Sequence, residues 1–189
     1  MSLVSLQHLG LVTLILFGAG LPAIADTVVV DFEDAVVLMP NDLPNRSEQV
    51  VEKGVVIKLA RQPEKSKAKG VLTYFVHISS GHKGIVCAMA LEPIPVQATF
   101  PKPVSSVTVA LWGSTATPAL LEAFDAEGKV VDRVQLEAIP GRKAAAEPVP
   151  IFTMTVRAPR IAYVQWSGPR EGEYLAADEI RFTPIENGR

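Results

Sequence analysis

His77, His82 and Cys87 stand five apart and five apart again in HISSGHKGIVC (77–87). They are two of the three histidines in the chain and its only cysteine. Imidazole and thiolate are zinc ligands, and Ser79, Ser80 and His82 together hold the groups of nucleophilic catalysis. A zinc site, however, takes four protein ligands or three plus water, with the usual short pairs set on a turn or a helix. This segment reads strand, loop (Ser79 to Gly84), strand. His77 opposes Cys87 in one hairpin register and Val86 in the next, while His82 rides the loop tip. In IVCAMAL, Ile85, Cys87, Met89 and Leu91 share one face, so Cys87 reads as a small core residue. The expectation is a buried, inert thiol and two surface histidines, not a metal or thiol centre.

Acid–base chemistry is no better marked. There is no G-x-S-x-G elbow and no H-E-x-x-H. Asp34, Glu173 and Asp178 could serve a glycosidase, which needs two carboxyls at a set separation across a cleft. Sugar binding instead needs aromatic side chains as a stacking platform, with polar groups on the hydroxyls. The candidates are Trp112, Trp166, Tyr74, Tyr163 and Tyr174. Of these, Trp112, Trp166 and Tyr174 are singled out as ligand-binding. Trp112 and Trp166 close their strands near Gly113 and Gly168, where a sandwich has its rim. Packing competes for the same residues, since only 6% of the chain is Phe, Trp or Tyr.

The elements that must position these residues are almost all strands. TVVVDFE (27–33), GVVIKLA (54–60), VLTYFVHI (71–78), IVCAMAL (85–91) and VQATF (96–100) are rich in branched and aromatic residues. So are VSSVTVALW (104–112), ALLEAFD (119–125), KVVDRVQL (129–136), IFTMTVR (151–157), IAYVQW (161–166) and EYLAADEIRF (173–182). Val107, Val109 and Leu111 should face one way, Thr108, Ala110 and Trp112 the other. Asp125-Ala126-Glu127-Gly128 predicts a turn pairing 119–125 with 129–136. Pro93, Pro95, Pro101, Pro103, Pro118, Pro140 and Pro159 are expected at strand ends or edges, because proline cannot join a central ladder. Residues 38–53 could hold a short helical turn, and 61–70 and 139–150 read as loops.

Composition bounds the rest. With one cysteine, no intramolecular disulfide exists, so the core must carry the fold. The net charge of -2 argues against a nucleic-acid partner, which would call for a basic face. The first 25 residues contain no Asp, Glu, Lys or Arg. Their apolar stretch, Leu9 to Leu21, has the length of a signal-peptide h-region, and Ala23-Ile24-Ala25 fits signal peptidase. Residues 1–25 are therefore expected to be a signal peptide, with a retained anchor as the alternative, and residues 26–189 one domain. No cysteine follows the apolar run for lipid attachment. The expected place is the periplasm or the cell exterior of a bacterium, off the membrane after cleavage.

The order of features resembles a known group. VVDFED opens the domain, ATFPKPVSSVTVAL and LLEAFDAEGKVVDRVQL follow, and AADEIRFTP closes it. This is similar to secreted bacterial jelly-roll β-sandwich domains related to carbohydrate-binding modules and galactose-binding-like domains, over nearly the whole of residues 26–189. The resemblance implies an all-β, antiparallel, two-sheet sandwich acting as a non-catalytic module. It also implies a structural calcium between the first and last strands, with Glu33, Asp178 and Asp31 as ligands. The leading expectation is an exported module recognising a glycan or another envelope component. The alternatives are a purely structural or protein-interaction domain of the envelope and a hydrolase acting on glycans through strand-end carboxylates. An exposed aromatic pair, an apolar patch or open edge, and a cleft with two carboxylates respectively tell them apart.

Overall fold

The computed structural model describes residues 26–33, 36–37, 46–64, 72–76, 83–87, 94–114, 118–137, 150–168 and 174–185. For 36–37, 46, 73–76, 83–87, 114 and 174 it describes the backbone path alone. Every regular element among them is a strand: β1 (Val28–Val30), β2 (Val36–Val37), β3 (Arg46–Ser47), β4 (Gln49–Glu52), β5 (Val55–Leu59) and β6 (Leu72–Val76). β7 (Lys83–Cys87), β8 (Val96–Ser114), β9 (Ala119–Phe124), β10 (Val130–Leu136), β11 (Phe152–Ser167) and β12 (Tyr174–Pro184) complete the set. All described pairings are antiparallel.

Two long strands organise the fold. The first half of β8 lies between β5 and the second half of β11, which pairs onward with β9 and β10. The second half of β8 lies between the first half of β11 and β12, and β12 continues to β1 and β7. The hydrogen-bonded network is thus unbroken, and it folds over into two layers. Layer one runs β10-β9-β11-β8-β5-β4-β2, and layer two runs β11-β8-β12-β7-β6-β3, with β1 also on β12. Ile57, Ala98, Leu121, Val164 and Trp166 of layer one share a core with Val107, Val109, Leu111, Met154, Val156 and Ile180 of layer two. That shared core makes the two layers a sandwich. Each Val, Leu, Ile or Met side chain among these, fully removed from water, stabilises the fold by about 1.5–3 kcal/mol.

Pro95 and Pro118 stand immediately before β8 and β9 as expected, Pro93 and Pro140 lie outside the described residues, and three other prolines correct the expectation. The runs 96–100 and 104–112 are one strand, as are 151–157 and 161–166, and Pro101, Pro103 and Pro159 lie inside these strands. The ladder lapses there: register jumps from Arg157–Ser106 to Ile161–Val104 to Tyr163–Thr99. Proline, lacking an N–H, sits where both strands turn from one layer into the other and need no ladder donor. Of residues 38–53, read as able to hold a short helical turn, 38–45 lie outside the described residues, while Arg46–Ser47 and Gln49–Glu52 are β3 and β4. Branched Val50 and Val51 favour that choice.

A buried carboxylate joins the layers at one end. Glu52, only 6% exposed, accepts from the backbone N–H of Phe32 (2.9 Å) and of Asp31 (3.4 Å). Lys53 and Gly54 form a two-residue hairpin turn with φ of 48° and 78°, the type I′ pattern that a twisted hairpin prefers. Lys53 Nζ lies 3.4 Å from Glu52 Oε1 and donates to the Val29 carbonyl. Phe32 pays for this junction with φ of 64°, and its ring is fully buried.

Candidate functional site

Alternation along the strands of layer one sends one set of side chains inward and leaves the next set on the outer face. Register then aligns the outer set into two rows. The first contains Arg133, Glu122, Gln165, Gln97, Lys58 and Gln49, each opposite the next on the neighbouring strand. The second contains Val130, Phe124, Tyr163, Thr99, Val56 and Val51. At 4.7–4.9 Å per strand, six strands span about 24 Å, the scale of a chain-like ligand.

The second row holds an aromatic pair. Phe124 and Tyr163 stack with centroids 4.7 Å apart and planes 7° apart, and both are half-buried. The expected turn borders it. Gly128 N–H donates to the Asp125 carbonyl (3.2 Å), and Asp125 Oδ1 accepts from Glu127 (3.1 Å) and Lys129 (2.8 Å) N–H. Gly128 has φ of 81°, and a Cβ there would lie 3.5 Å from the Tyr163 hydroxyl. Only glycine takes that conformation without strain.

The first row is polar and planar. Gln165 Nε2 donates to Gln97 Oε1 (3.0 Å), and Gln97 Nε2 donates to Thr99 Oγ1 (3.0 Å). Arg133 Nε donates to Glu122 Oε1 (2.8 Å), and a second guanidinium nitrogen reaches the same oxygen. A primary amide offers two N–H donors and an oxygen with two lone pairs. These contacts use one donor of each glutamine, leaving capacity for a polar ligand beside the aromatic pair.

The residues singled out from sequence fare differently. Trp112 and Trp166 are 4% and 1% exposed, which corrects their assignment to a stacking platform. A ring must show a face to a ligand, and Trp166 shows its face to the core instead. Tyr174 and Tyr74 contribute only backbone to the described structure, and His77, His82, Asp34 and Glu173 lie outside the described residues. Cys87 stands opposite Leu72, so the register opposing it to His77 is not the one adopted. Asp31 and Glu33 flank Phe32 just beyond β1, and Asp178 sits at a bulge in β12. β1 and β12 are neighbours, as the resemblance implies. Among the described residues, though, no three His, Cys, Asp or Glu side chains gather closely enough to hold a metal. Calcium takes six to eight oxygens, so a site at these carboxylates would also draw on backbone carbonyls or water.

Sequence reasoning named Tyr163 among the aromatics but missed Phe124, Gln97, Gln165, Glu122 and Arg133 as a group. The hairpin signal placed Phe124 on the last residue before the turn. Its cross-strand partner Tyr163 comes from β11, and no local pattern reports that pairing.

No protein-family model matches the chain, and no curated protein matches it. Solved structures do. The K1 cleaved adhesin domain of Lys-gingipain from Porphyromonas gingivalis W83 has a TM-score of 0.50 at 11% identity, covering 85% of this chain and 99% of that one. An arabinose-bound α-L-arabinofuranosidase has a TM-score of 0.43 at 10% identity, with 72% of this chain matched to 24% of that one. The family 11 carbohydrate-binding module of a Clostridium thermocellum cellulosomal cellulase has a TM-score of 0.30 at 8% identity, over 87% and 99%. The likeness to the adhesin domain is one of fold: the chain is an antiparallel β-sandwich of that architecture.

Proposed function

We propose that the chain is an exported, non-catalytic module that binds a glycan across the outer face of layer one. The observation that carries this reading is the stacked, half-buried Phe124–Tyr163 pair beside the Gln165–Gln97 amide chain and the Glu122–Arg133 pair. Sugars present C–H faces and hydroxyl edges together, and a row of rings beside a row of amides, a carboxylate and a guanidinium matches both. The fold likeness to a domain named an adhesin is in keeping with recognition of an extracellular partner. The apolar, uncharged residues 1–25 support export to the periplasm or the cell surface.

The test is thermal melting of the protein over a panel of neutral and acidic polysaccharides. A ligand bound only by the folded state raises the midpoint by mass action. A rise that Tyr163→Ala abolishes supports the proposal, and no rise with any glycan overturns it. The same melts with calcium and with chelator test the calcium expectation, since a metal held by the folded state raises the midpoint in the same way.

A further inference from the structure

The corner where β8 and β11 turn between layers encloses a cleft of about 370 Å³ lined by Lys102, Pro103, Pro159, Arg160 and Ile185. This volume falls at the small end of small-molecule sites. Its polar chemistry is one-sided. Pro103 and Pro159 have no N–H, and the Pro103 carbonyl already accepts from Ile185 N–H at 3.3 Å. Among the described residues, no carboxylate lines the cleft. Lys102 and Arg160 form no ion pair among the described residues, a state they share with exposed Lys58, Lys129 and Arg157 elsewhere on the surface. Two unpartnered cations thus converge over an apolar floor of proline and isoleucine.

We propose that this corner cleft binds an anionic group, a carboxylate or sulfate borne on a saccharide unit. The cations take the anion, with the Arg160 guanidinium able to grip two of its oxygens at once, and the proline and isoleucine C–H surface takes the ring. Lys102 is three residues from Thr99 along β8, and Arg160 is three from Tyr163 along β11. At about 3.3 Å per residue each cation stands about 10 Å along its strand from the second outer row, within reach of a chain-like acidic ligand. The saccharide half of the proposal rests on the glycan reading above, and the anion half rests on the cleft alone.

The experiment titrates the full chain with trigalacturonate, with its methyl ester and with inorganic sulfate, comparing wild type, Lys102→Ala/Arg160→Ala and Tyr163→Ala. Both cleft cations are exposed, so the double variant should melt as wild type does without ligand. Lys102→Arg/Arg160→Lys, which keeps both charges, should retain binding. The acid should bind wild type about tenfold or more tightly than the ester, from two charge-assisted contacts. That preference should vanish in the double variant and fade toward about 1 M salt, where the screening length falls to about 3 Å. Tyr163→Ala should weaken acid and ester alike. Equal binding of acid and ester to wild type, or an acid preference that survives in the double variant, overturns the cleft and leaves the glycan reading standing. Failure of both saccharides, with a sulfate-induced rise in melting point that the double variant loses, overturns the glycan half and keeps the anion site. Failure of all three probes overturns the proposal.

Discussion

The same two strands build both outer faces of the sandwich, yet the faces differ in what they leave unfinished. In layer one, β8 and β11 present Gln97, Thr99, Tyr163 and Gln165, planar groups with spare hydrogen-bonding capacity beside a stacked ring pair. In layer two they present Thr108, Ala110, Thr153 and Thr155, with Glu179 and Arg181 alongside on β12. Thr108, Ala110, Thr153, Glu179 and Arg181 line a hollow of about 270 Å³ together with Ile151 and Asp178, and several of the polar groups on this face are turned on one another. Thr108 and Thr155 hydroxyls meet at 2.9 Å, and Arg181 is bonded to Glu179, whose hydrogen bond and charge raise the pKa of Arg181 further. A concavity alone is therefore a poor guide to function here. Open valence beside an exposed ring is the better one.

The contrast is sharpest along β11, where Trp166 points into the core and Tyr163 points out. Trp166→Ala removes a side chain only 1% exposed and should destabilise the fold by about 3–5 kcal/mol in chemical denaturation. Trp166→Phe should cost less, about 1–3 kcal/mol, because the phenyl ring refills most of the indole's volume and, among the described residues, the buried Nε1–H has no hydrogen-bond partner to lose. A Phe variant as damaged as the Ala variant would show that the indole is held by more than packing. Next in size is Glu52→Ala, which strands the buried N–H of Phe32 at the junction of the two layers. It should cost about 1–3 kcal/mol, and Glu52→Gln, which keeps an acceptor oxygen, should recover most of that. Tyr163→Ala should cost no more than about 2 kcal/mol of stability while lowering glycan affinity about tenfold. If stability falls and affinity does not, the aromatic pair is packing and the two faces are equivalent in function.

Much of this architecture was legible. The alternation of Val107, Val109 and Leu111 against Thr108 and Ala110 is observed, with the first three wholly buried. The Asp125–Gly128 turn closes as its residues demand, because Asp and Gly carry that geometry locally. Parity, in contrast, is not preserved along a bulged strand. Val104 and Val107 are both buried with Ser105 and Ser106 half-buried between them, and Ala177 and Ile180 repeat the pattern around Asp178 and Glu179. A bulge slips the register by one residue and exchanges the faces. It costs nothing in composition, so a period read from one side does not carry across it. The tryptophans are a separate case. The ladder from Val107 to Leu111 is regular and Trp112 keeps the parity opposite Leu111, yet it is buried, because proximity to glycine marks the end of a run and says nothing of what covers it. The pairing of Phe124 with Tyr163 joins residues from β9 and β11, and only the assembled sheet records it.

The smallest expected effect tests the comparison most directly. Thr108→Val keeps the shape and the β-branch of the side chain and removes one member of the Thr108–Thr155 hydroxyl pair. Thr155 is only half-buried, so its hydroxyl can turn to water, and the loss should stay within about 1 kcal/mol. Adding Thr155→Val removes both partners at once. The double variant should then be less destabilised than the sum of the singles, the sign of a pair that mainly satisfies itself. Neither variant should change the midpoint rise produced by a glycan. If Thr108→Val instead lowers glycan affinity as far as Tyr163→Ala does, the ligand lies in the hollow of layer two. Self-satisfaction of its hydroxyls would then be a resting arrangement that binding exchanges, and the assignment of function between the two faces reverses.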